Sequence, residues 1–298
     1  MITVLGSTSL DFIGTVSRLP KPGETVPGGV FRTAAGGKGA NQALAARRAG
    51  AAVTMFAAVG DDAYASDALA ELKAGGVDLT HVPRVAGVAT GIAMIFVDAK
   101  GENVIAILPG ANGTLGVAEA EAALAPLQRG DILMLQQEVP VACTDRALEL
   151  AKEKGVISIL NTAPFLPTTP TSARSAAIVI ANETEFALLC GGRDEPLEQL
   201  MDTWVKETGN TIIVTLGPDG ARAATPDGAF SVPAMAVVPV DTVGAGDTFC
   251  GYLAAGLDGR LDLQDAMRRA AVAASLACLK PGAQPAIPMA DEVARAVR

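Results

Sequence analysis

Residues 240–249 read Val-Asp-Thr-Val-Gly-Ala-Gly-Asp-Thr-Phe, and residues 251–257 that follow have the pattern of a helix. A glycine-rich turn entering a helix presents backbone N–H groups and the positive end of the helix dipole, so it can receive an oxyanion. Asp247 stands where this helix begins, and two interpretations of it are open. It is either a helix N-cap or a general base held beside an anion hole.

Outward from this segment, apolar β-branched runs alternate with alanine-rich stretches that end at glycines. The predicted strands are residues 2–5, 53–59, 132–135, 156–160, 178–181 and 211–216. The predicted helices, besides 251–257, are residues 40–49, 62–74, 143–154, 183–189 and 196–208. This alternation indicates βαβ units, and therefore an α/β fold with a large, mostly parallel sheet flanked by helices on both faces.

Two segments break the alternation. Residues 12–33 are rich in proline and glycine, and residues 90–108 read as a hairpin around a turn at 98–101. Neither segment has helical periodicity. We expect them to form a small β-sheet lid appended to a single domain that spans residues 1–298.

The composition excludes several classes of function. The net charge is −9 and aromatic residues make up 4%, which disfavours nucleic-acid binding. The four cysteines form no CxxC pair, as is typical of buried thiols in a reducing compartment. No apolar run approaches the roughly 18 residues of a membrane span, so we expect a cytoplasmic protein without membrane contact. A single histidine and the absence of a GxSxG sequence exclude most hydrolases and zinc enzymes.

A second glycine-rich stretch surrounds a lysine. Residues 35–42 read Ala-Gly-Gly-Lys-Gly-Ala-Asn-Gln. The stretch is not a Walker A sequence, because the first glycine of that motif is missing and no Ser or Thr follows Lys38. It is either a tight turn between a strand and a helix, or a loop that brings backbone and polar groups to a hydroxyl-rich ligand.

Two further stretches follow predicted strands, where α/β sheets place their ligands. Residues 6–11 end at Asp11, which can accept two sugar hydroxyls or be a solvated loop residue. In residues 182–185, Asn182 and Glu185 share one face of a helical turn. This pair can hold a hydrated Mg²⁺, although the residues alone favour a helix cap.

The order and spacing of these motifs resemble the ribokinase-like (PfkB-type) sugar kinase family. From Gly6 to about Pro288 the motifs are GSxSxD, PGE, GGKGAN, TG…GEN…GAN, NETE, TLGxxG, DTxGAGDTF and KxGAQP. The resemblance implies an ATP-dependent kinase that phosphorylates the primary hydroxyl of a pentose, with D-ribose converted to ribose 5-phosphate as the first expectation. Another acceptor (a ketohexose, deoxyribose or a nucleoside) and a non-catalytic protein that binds sugar or nucleotide are the alternatives.

The resemblance also implies a role for each matching residue. The backbone of Gly244, Ala245 and Gly246 would form the anion hole, and Asp247 would be the base. Sugar contacts are implied for Ser9, Asp11, Gly37, Lys38, Gly39, Asn41, Glu138 and Asp247. Nucleotide contacts are implied for Asn182, Thr215, Leu216, Gly217, Pro218, Asp219, Gly220, Gly246 and Asp247. Glu185 would organise the water shell of Mg²⁺, and a monovalent cation, K⁺, would be held by Asp241, Val243, Ala277, Lys280 and Gly282. A homodimer through the small sheet is implied as well.

Two positions depart from the family pattern. Members that act on ribose usually carry asparagine where this chain has Ser9, which leaves the identity of the sugar open. A serine that helps to bind the cation is often found where this chain has Ala286.

Overall fold

The computed structural model describes residues 1–297. Its strands, in chain order, are β1 Ile2–Leu5, β2 Ser9–Val16, β3 Gly28–Gly36, β4 Val53–Phe56, β5 Val59–Gly60, β6 Asp78–His81, β7 Arg84–Val85, β8 Ile92–Val97, β9 Asn103–Leu108, β10 Ile132–Leu135, β11 Ile157–Asn161, β12 Ile178–Asn182, β13 Thr211–Thr215, β14 Ala221–Thr225 and β15 Gly228–Val232. Its α-helices are α1 Lys38–Arg48, α2 Tyr64–Ala68, α3 Ala70–Gly75, α4 Val117–Leu124, α5 Val141–Lys154, α6 Thr169–Ala173, α7 Glu183–Leu189, α8 Leu197–Thr208, α9 Ala245–Asp258, α10 Leu263–Ala277 and α11 Ala290–Ala296.

A large sheet of nine strands has the order β15-β14-β13-β12-β11-β10-β1-β4-β6. It is parallel from β13 to β6, and β14 and β15 are antiparallel additions at one edge. Alternate side chains of β1 enter two separate cores. Val4 packs into a core shared with α1, α9 and α10, whereas Leu5 packs into a core shared with α4, α5 and α7. Helices therefore cover both faces of a mostly parallel sheet, which confirms the predicted fold class.

A separate small sheet has the order β3-β2-β8-β9. Its strands lie within residues 9–36 and 92–108, so β2 and β3 extend beyond both ends of the expected segment 12–33. Strand β2 begins only four residues after β1 ends, so the small sheet stands directly beside the carboxyl edge of the large one.

Several elements differ from the sequence-based prediction. The expected helix over 62–74 is two helices, α2 and α3, which meet at Leu69, and the expected strand over 53–59 is interrupted after Phe56. Helices α4, α10 and α11 and the strands β14 and β15 were not predicted. Helix α9 begins at Ala245, six residues earlier than expected, because the glycine-rich turn runs straight into it. Within residues 1–297 no helix is both long and apolar enough to cross a membrane.

Candidate active site

Two adjoining cavities lie where the carboxyl ends of the parallel strands meet the beginning of α9. The first, of about 170 Å³, opens between the small sheet and the large sheet, and the second, of about 180 Å³, lies along the ends of β11, β12 and β13. Lys38, Gly244 and Asp247 line both cavities. A ligand in one cavity therefore meets a ligand in the other at these three residues.

The turn before α9 requires glycine. Gly244 has φ 77°, and a Cβ there would lie 2.8 Å from the Cβ of Ala283. Helix α9 starts at the next residue, so the N–H groups of Gly246 and Asp247 belong to the first turn, where a helix supplies no carbonyl acceptor. Gly246 lines the second cavity, and a Cβ on it would contact nothing within 4 Å. The turn therefore presents backbone donors to a ligand in the second cavity, as an anion hole requires.

Asp247 is a buried carboxylate, 8% exposed, that is held by two amides of α1. Asn41 Nδ2 donates to its Oδ2 at 2.9 Å, and Gln42 Nε2 donates to its Oδ1 at 2.9 Å. Asp247 is the third residue of α9, and the residue at the N-cap is Gly244. The N-cap interpretation of Asp247 is therefore wrong, and its carboxylate is fixed toward the junction of the two cavities.

Lys38 places a positive charge at the same junction. It is the first residue of α1, after Gly37, whose φ of 92° and close approach to Thr8 (a Cβ would lie 2.7 Å from its Cα) exclude other residues. The charge of Asp247, supported by those of Glu138 and Glu185, raises the pKa of Lys38 above its ordinary value. The ammonium therefore stays charged across the physiological pH range.

Asp11 projects from β2 of the small sheet into the first cavity. Burial raises its pKa to about 6, and the nearby charge of Glu138 acts in the same direction. Ser9 Oγ donates to Asp11 Oδ1 at 3.1 Å. The carboxylate lies over Gly36, where a Cβ would come within 2.4 Å of Oδ1, so only glycine leaves it room.

Glu138 follows β10 and joins three loops at the floor of the first cavity. Its Oε2 accepts hydrogen bonds from Ser7 Oγ at 2.5 Å and from the backbone N–H of Lys38 at 3.0 Å. Asn112 supports the same region from behind, since its amide exchanges two hydrogen bonds with the backbone of Thr8. Acceptors from the large sheet and from the small sheet therefore line this cavity together.

Asn182 and Glu185 lie in the second cavity and form a helix cap. Asn182 Oδ1 accepts from Glu185 N at 2.8 Å, and Glu185 Oε2 accepts from Asn182 N at 3.1 Å. Thr162 Oγ1 also donates to this Oε2, at 2.8 Å, whereas Oε1 accepts no hydrogen bond from residues 1–297. The helix cap predicted from these two residues is therefore present, and Oε1 of Glu185 remains open toward the cavity.

Asp241 connects the loop before α9 to the loop after α10. Its Oδ1 accepts from Val243 N at 3.0 Å and its Oδ2 accepts from Gly282 N at 2.8 Å. In the described part of the chain, the carbonyls of Val243 and Gly282 accept no hydrogen bond, while that of Ala277 accepts one from Lys280 N at 3.3 Å. Free carbonyls beside a carboxylate are a donor set that suits a hard monovalent cation.

The sequence matches the family described as pfkB family carbohydrate kinase over residues 1–290. Ribokinase from Bacillus subtilis is 36% identical over 292 residues, which are 98% of this chain and 97% of that protein. Deoxyribokinase from Salmonella typhi is 35% identical over 295 residues, which are 98% of this chain and 96% of that protein. The structure of Arabidopsis thaliana ribokinase complexed with ribose and ATP superposes with a TM-score of 0.89 at 29% identity, covering 100% of this chain and 98% of that chain.

The chain belongs to the PfkB family of carbohydrate kinases. The resemblance of its motifs to this family is confirmed, and so is the prediction that the protein is a sugar kinase, an enzyme that transfers a phosphoryl group to an alcohol.

The structure brings most of the predicted site residues of this kinase together. The predicted sugar contacts that line the first cavity are Ser9, Asp11, Gly37, Lys38, Asn41, Glu138 and Asp247. Gly39 does not line it and packs instead on the β1 loop, where a Cβ would lie 2.6 Å from Ser7 N. The predicted nucleotide contacts that line the second cavity are Asn182, Thr215, Gly246 and Asp247. Residues 216–220 form the turn beyond Thr215, and neither they nor Ala245 line that cavity.

Other polar residues of the site were not singled out from the sequence. They are Ser7, Gln42, Asn112, Gln136, Asn161 and Thr162. Ser7, Gln42 and Asn112 stand inside stretches that carried a motif, so the signal for them was present. Gln136 directly follows β10, Asn161 ends β11 and Thr162 follows it, and only the strand order shows that they lie beside the site.

Proposed function

We propose that this kinase transfers the γ-phosphoryl group of ATP to the primary hydroxyl of a pentose, with D-ribose as the first substrate. The observation that carries this proposal is the junction of the two cavities, where Asp247 and Lys38 stand between two ligand spaces. The related Arabidopsis structure contains ribose and ATP, which supports the choice of both substrates.

In this proposal the sugar occupies the first cavity. The carboxylates of Asp11 and Glu138 accept sugar hydroxyls, and Asn41 lines the cavity beside them. These contacts place the primary hydroxyl beside Asp247, which takes its proton as the oxygen attacks the γ-phosphorus.

ATP occupies the second cavity, and the bond between the γ-phosphorus and the ADP oxygen breaks as the bond to the sugar oxygen forms. The N–H groups of Gly246 and Asp247 donate to the transferring group, and the ammonium of Lys38 balances its charge. Because these donors are already in place, the developing negative charge requires no rearrangement of the protein. The small sheet serves as a lid that excludes water, which would otherwise compete as acceptor.

Two metal ions are part of the proposal. Mg²⁺ bound to nucleotide phosphates keeps several waters and takes few protein ligands, and Glu185 Oε1 is open to such a water. Within residues 1–297 no three His, Cys, Asp or Glu side chains cluster as a metal site, which fits an ion held mainly by the nucleotide. A monovalent cation, K⁺, would be held by Asp241 and the carbonyls of Val243, Ala277, Lys280 and Gly282, where its charge stabilises the loop beside the anion hole.

We also propose a homodimer that forms through the small sheet. Its face opposite the first cavity exposes apolar side chains, among them Phe31, Met94, Phe96 and Val104. A contiguous apolar surface of this kind on a soluble domain indicates an interface.

2-Deoxy-D-ribose is the second candidate substrate. Ser9 Oγ is engaged with Asp11 instead of being free to bind a sugar hydroxyl, and a relative at 35% identity is named deoxyribokinase. A site with fewer partners for a hydroxyl discriminates less against a sugar that lacks it.

The experiment is a coupled ADP-release assay with D-ribose, 2-deoxy-D-ribose, a ketohexose and a nucleoside, in Mg²⁺ with and without K⁺. We expect the highest kcat/KM with D-ribose. We expect Asp247→Asn, which keeps the shape of the side chain, to bind the sugar while kcat falls by about 10²–10⁴-fold. Undiminished kcat in this variant would remove Asp247 from the role of base, and a nucleoside preferred over both pentoses would replace the proposed substrate.

A further inference from the structure

Two buried glutamines lie behind Asp247 and line neither cavity. Gln42, on α1, is 1% exposed, and Gln136, directly after β10, is 0% exposed. In the proposed reaction neither side chain touches the sugar or the nucleotide, yet both belong to one row of hydrogen bonds that ends at the proposed base.

Gln42 holds one oxygen of the carboxylate. Its Nε2 donates to Asp247 Oδ1 at 2.9 Å and to Asn161 Oδ1 at 3.3 Å. The other carboxylate oxygen is held by Asn41, which lines the first cavity and therefore also faces the sugar. Gln42 is the partner of Asp247 that has no share in ligand binding.

Gln136 determines which end of the Gln42 amide faces Asp247. Gln136 Nε2 donates to Gln42 Oε1 at 2.7 Å, which fixes the oxygen of that amide on the side away from the carboxylate. Without this donor the Gln42 amide is free to turn over and bring its carbonyl oxygen beside the negatively charged Asp247. Space for Gln136 depends on Gly6, since a Cβ there would lie 2.1 Å from Gln136 Oε1.

We propose that Gln42 is a positioning residue that orients the carboxylate of Asp247, and that Gln136 acts through it by fixing the direction of its amide. This inference rests on the proposed function, in which Asp247 is the general base. A carboxylate held by donors at both oxygens keeps one orientation, so the proton acceptor is in place before the sugar arrives.

Because Gln42 touches no ligand, its loss affects turnover more than binding. For Gln42→Met we expect kcat to fall by about 10- to 100-fold, because among the hydrogen bonds it loses is the one to the charged Asp247, with the KM for sugar within about twofold. For Gln136→Met, which removes only one hydrogen bond, we expect a fall of about 10-fold with the same unchanged KM.

The double variant Gln42→Met/Gln136→Met distinguishes positioning from two independent losses of stability. Since Gln136 acts only through Gln42, we expect its kcat to equal that of Gln42→Met. The matched control is Gln137→Met, a buried glutamine next in the chain whose side chain accepts a hydrogen bond from Thr169 Oγ1 and makes none to this row. We expect its kcat to stay within about twofold of the wild type.

An unchanged kcat in Gln42→Met, a raised sugar KM with kcat retained, or effects that multiply in the double variant would overturn the positioning role. If Gln42→Met does not fold, the milder Gln136→Met variant decides, through its kcat and KM. Activity retained in Asp247→Asn would instead refute the proposed function itself.

Discussion

The carboxyl of Asp11 has a pKa well above that of an ordinary aspartate. Burial and the neighbouring Glu138 raise its pKa to about 6, while Ser9, Arg32 and Lys38 oppose this rise. A proton therefore remains on Asp11 in the folded protein at pH values where the unfolded chain has released it. The free energy of unfolding declines as the pH increases from about 4 to about 6, because the folded state then has to give up that proton.

We expect the KM for the sugar to rise by about 10-fold as the pH falls from about 7 to 5, because protonated Asp11 loses its capacity as a double acceptor. In Asp11→Asn the KM should be high and constant over this range. Steady-state kinetics at saturating ATP measure both variants, and the KM for ATP is the internal control. A sugar KM that does not change between these pH values in the wild type would contradict this placement of Asp11.

The turn into α9 combines a conformational and a steric requirement in one residue. Gly244 needs a positive φ of 77° and also lies against Ala283, which leaves no room for a side chain. Gly209, the C-cap of α8, has a similar φ of 71° but has nothing within 4 Å of a Cβ. Substitutions at these two glycines therefore distinguish the free-energy cost of a left-handed backbone conformation from the effect of displacing the turn.

We expect Gly244→Ala to lower kcat by about 10²-fold, because a shift of the turn moves the N–H donors of the first helical turn. Gly209→Ala should lose about 1 kcal/mol of stability to the left-handed conformation, with kcat unchanged. Denaturant unfolding and steady-state kinetics on both variants provide the comparison. Equal kcat values in the two variants would show that the turn does not carry the phosphoryl site.

The sequence predicted the central elements closely but not the periphery. Strands β1 and β10 are buried on both faces; β10 is an unbroken apolar run, β1 is apolar except for Thr3, and the boundaries of both were obtained from the residues alone. Helix α10 lacked a preceding strand to suggest it, although Asp262 caps it through a hydrogen bond from Asp265 N at 2.8 Å. The local signal for α10, a capping aspartate before an alanine-rich stretch, was therefore present in the sequence and was overlooked.

The residues of the site likewise divide into some that the sequence predicted and some that it did not. Asp247 and Lys38 stand in glycine-rich stretches that are conspicuous in the sequence. Gln136 stands in no such stretch, because its role depends on the position of β10 beside β1 in the large sheet. Contacts between residues about a hundred positions apart, such as Gln136 with Gln42, are set by topology and not by neighbouring sequence.

The two larger sheets of the molecule have different surfaces. The large sheet is covered by helices on both faces, whereas strand β9 of the small sheet is exposed along its full length. Ile105 and Ile107 face the first cavity, and Val104 alternates with them toward the opposite face, where it pairs with Phe96 of β8.

We expect the wild-type protein to sediment as a dimer and Val104→Asp to sediment as a monomer, because a charge on this face opposes its burial. The control is Val238→Asp, which places the same charge on a valine that is 86% exposed and lies outside the small sheet. Analytical ultracentrifugation at micromolar concentration makes the measurement. A monomeric wild type, or a dimer that persists in Val104→Asp, would contradict the proposed interface.

Neither of the two cores includes a side chain from the small sheet. Asp11 nevertheless stands on it, so one of the two carboxylates proposed to bind the sugar lies outside these cores, whereas the other, Glu138, follows β10 of the large sheet. Substitutions in the small sheet therefore cost little folding free energy. The preference for an acceptor sugar can change during evolution without loss of the fold or of the chemistry at α9.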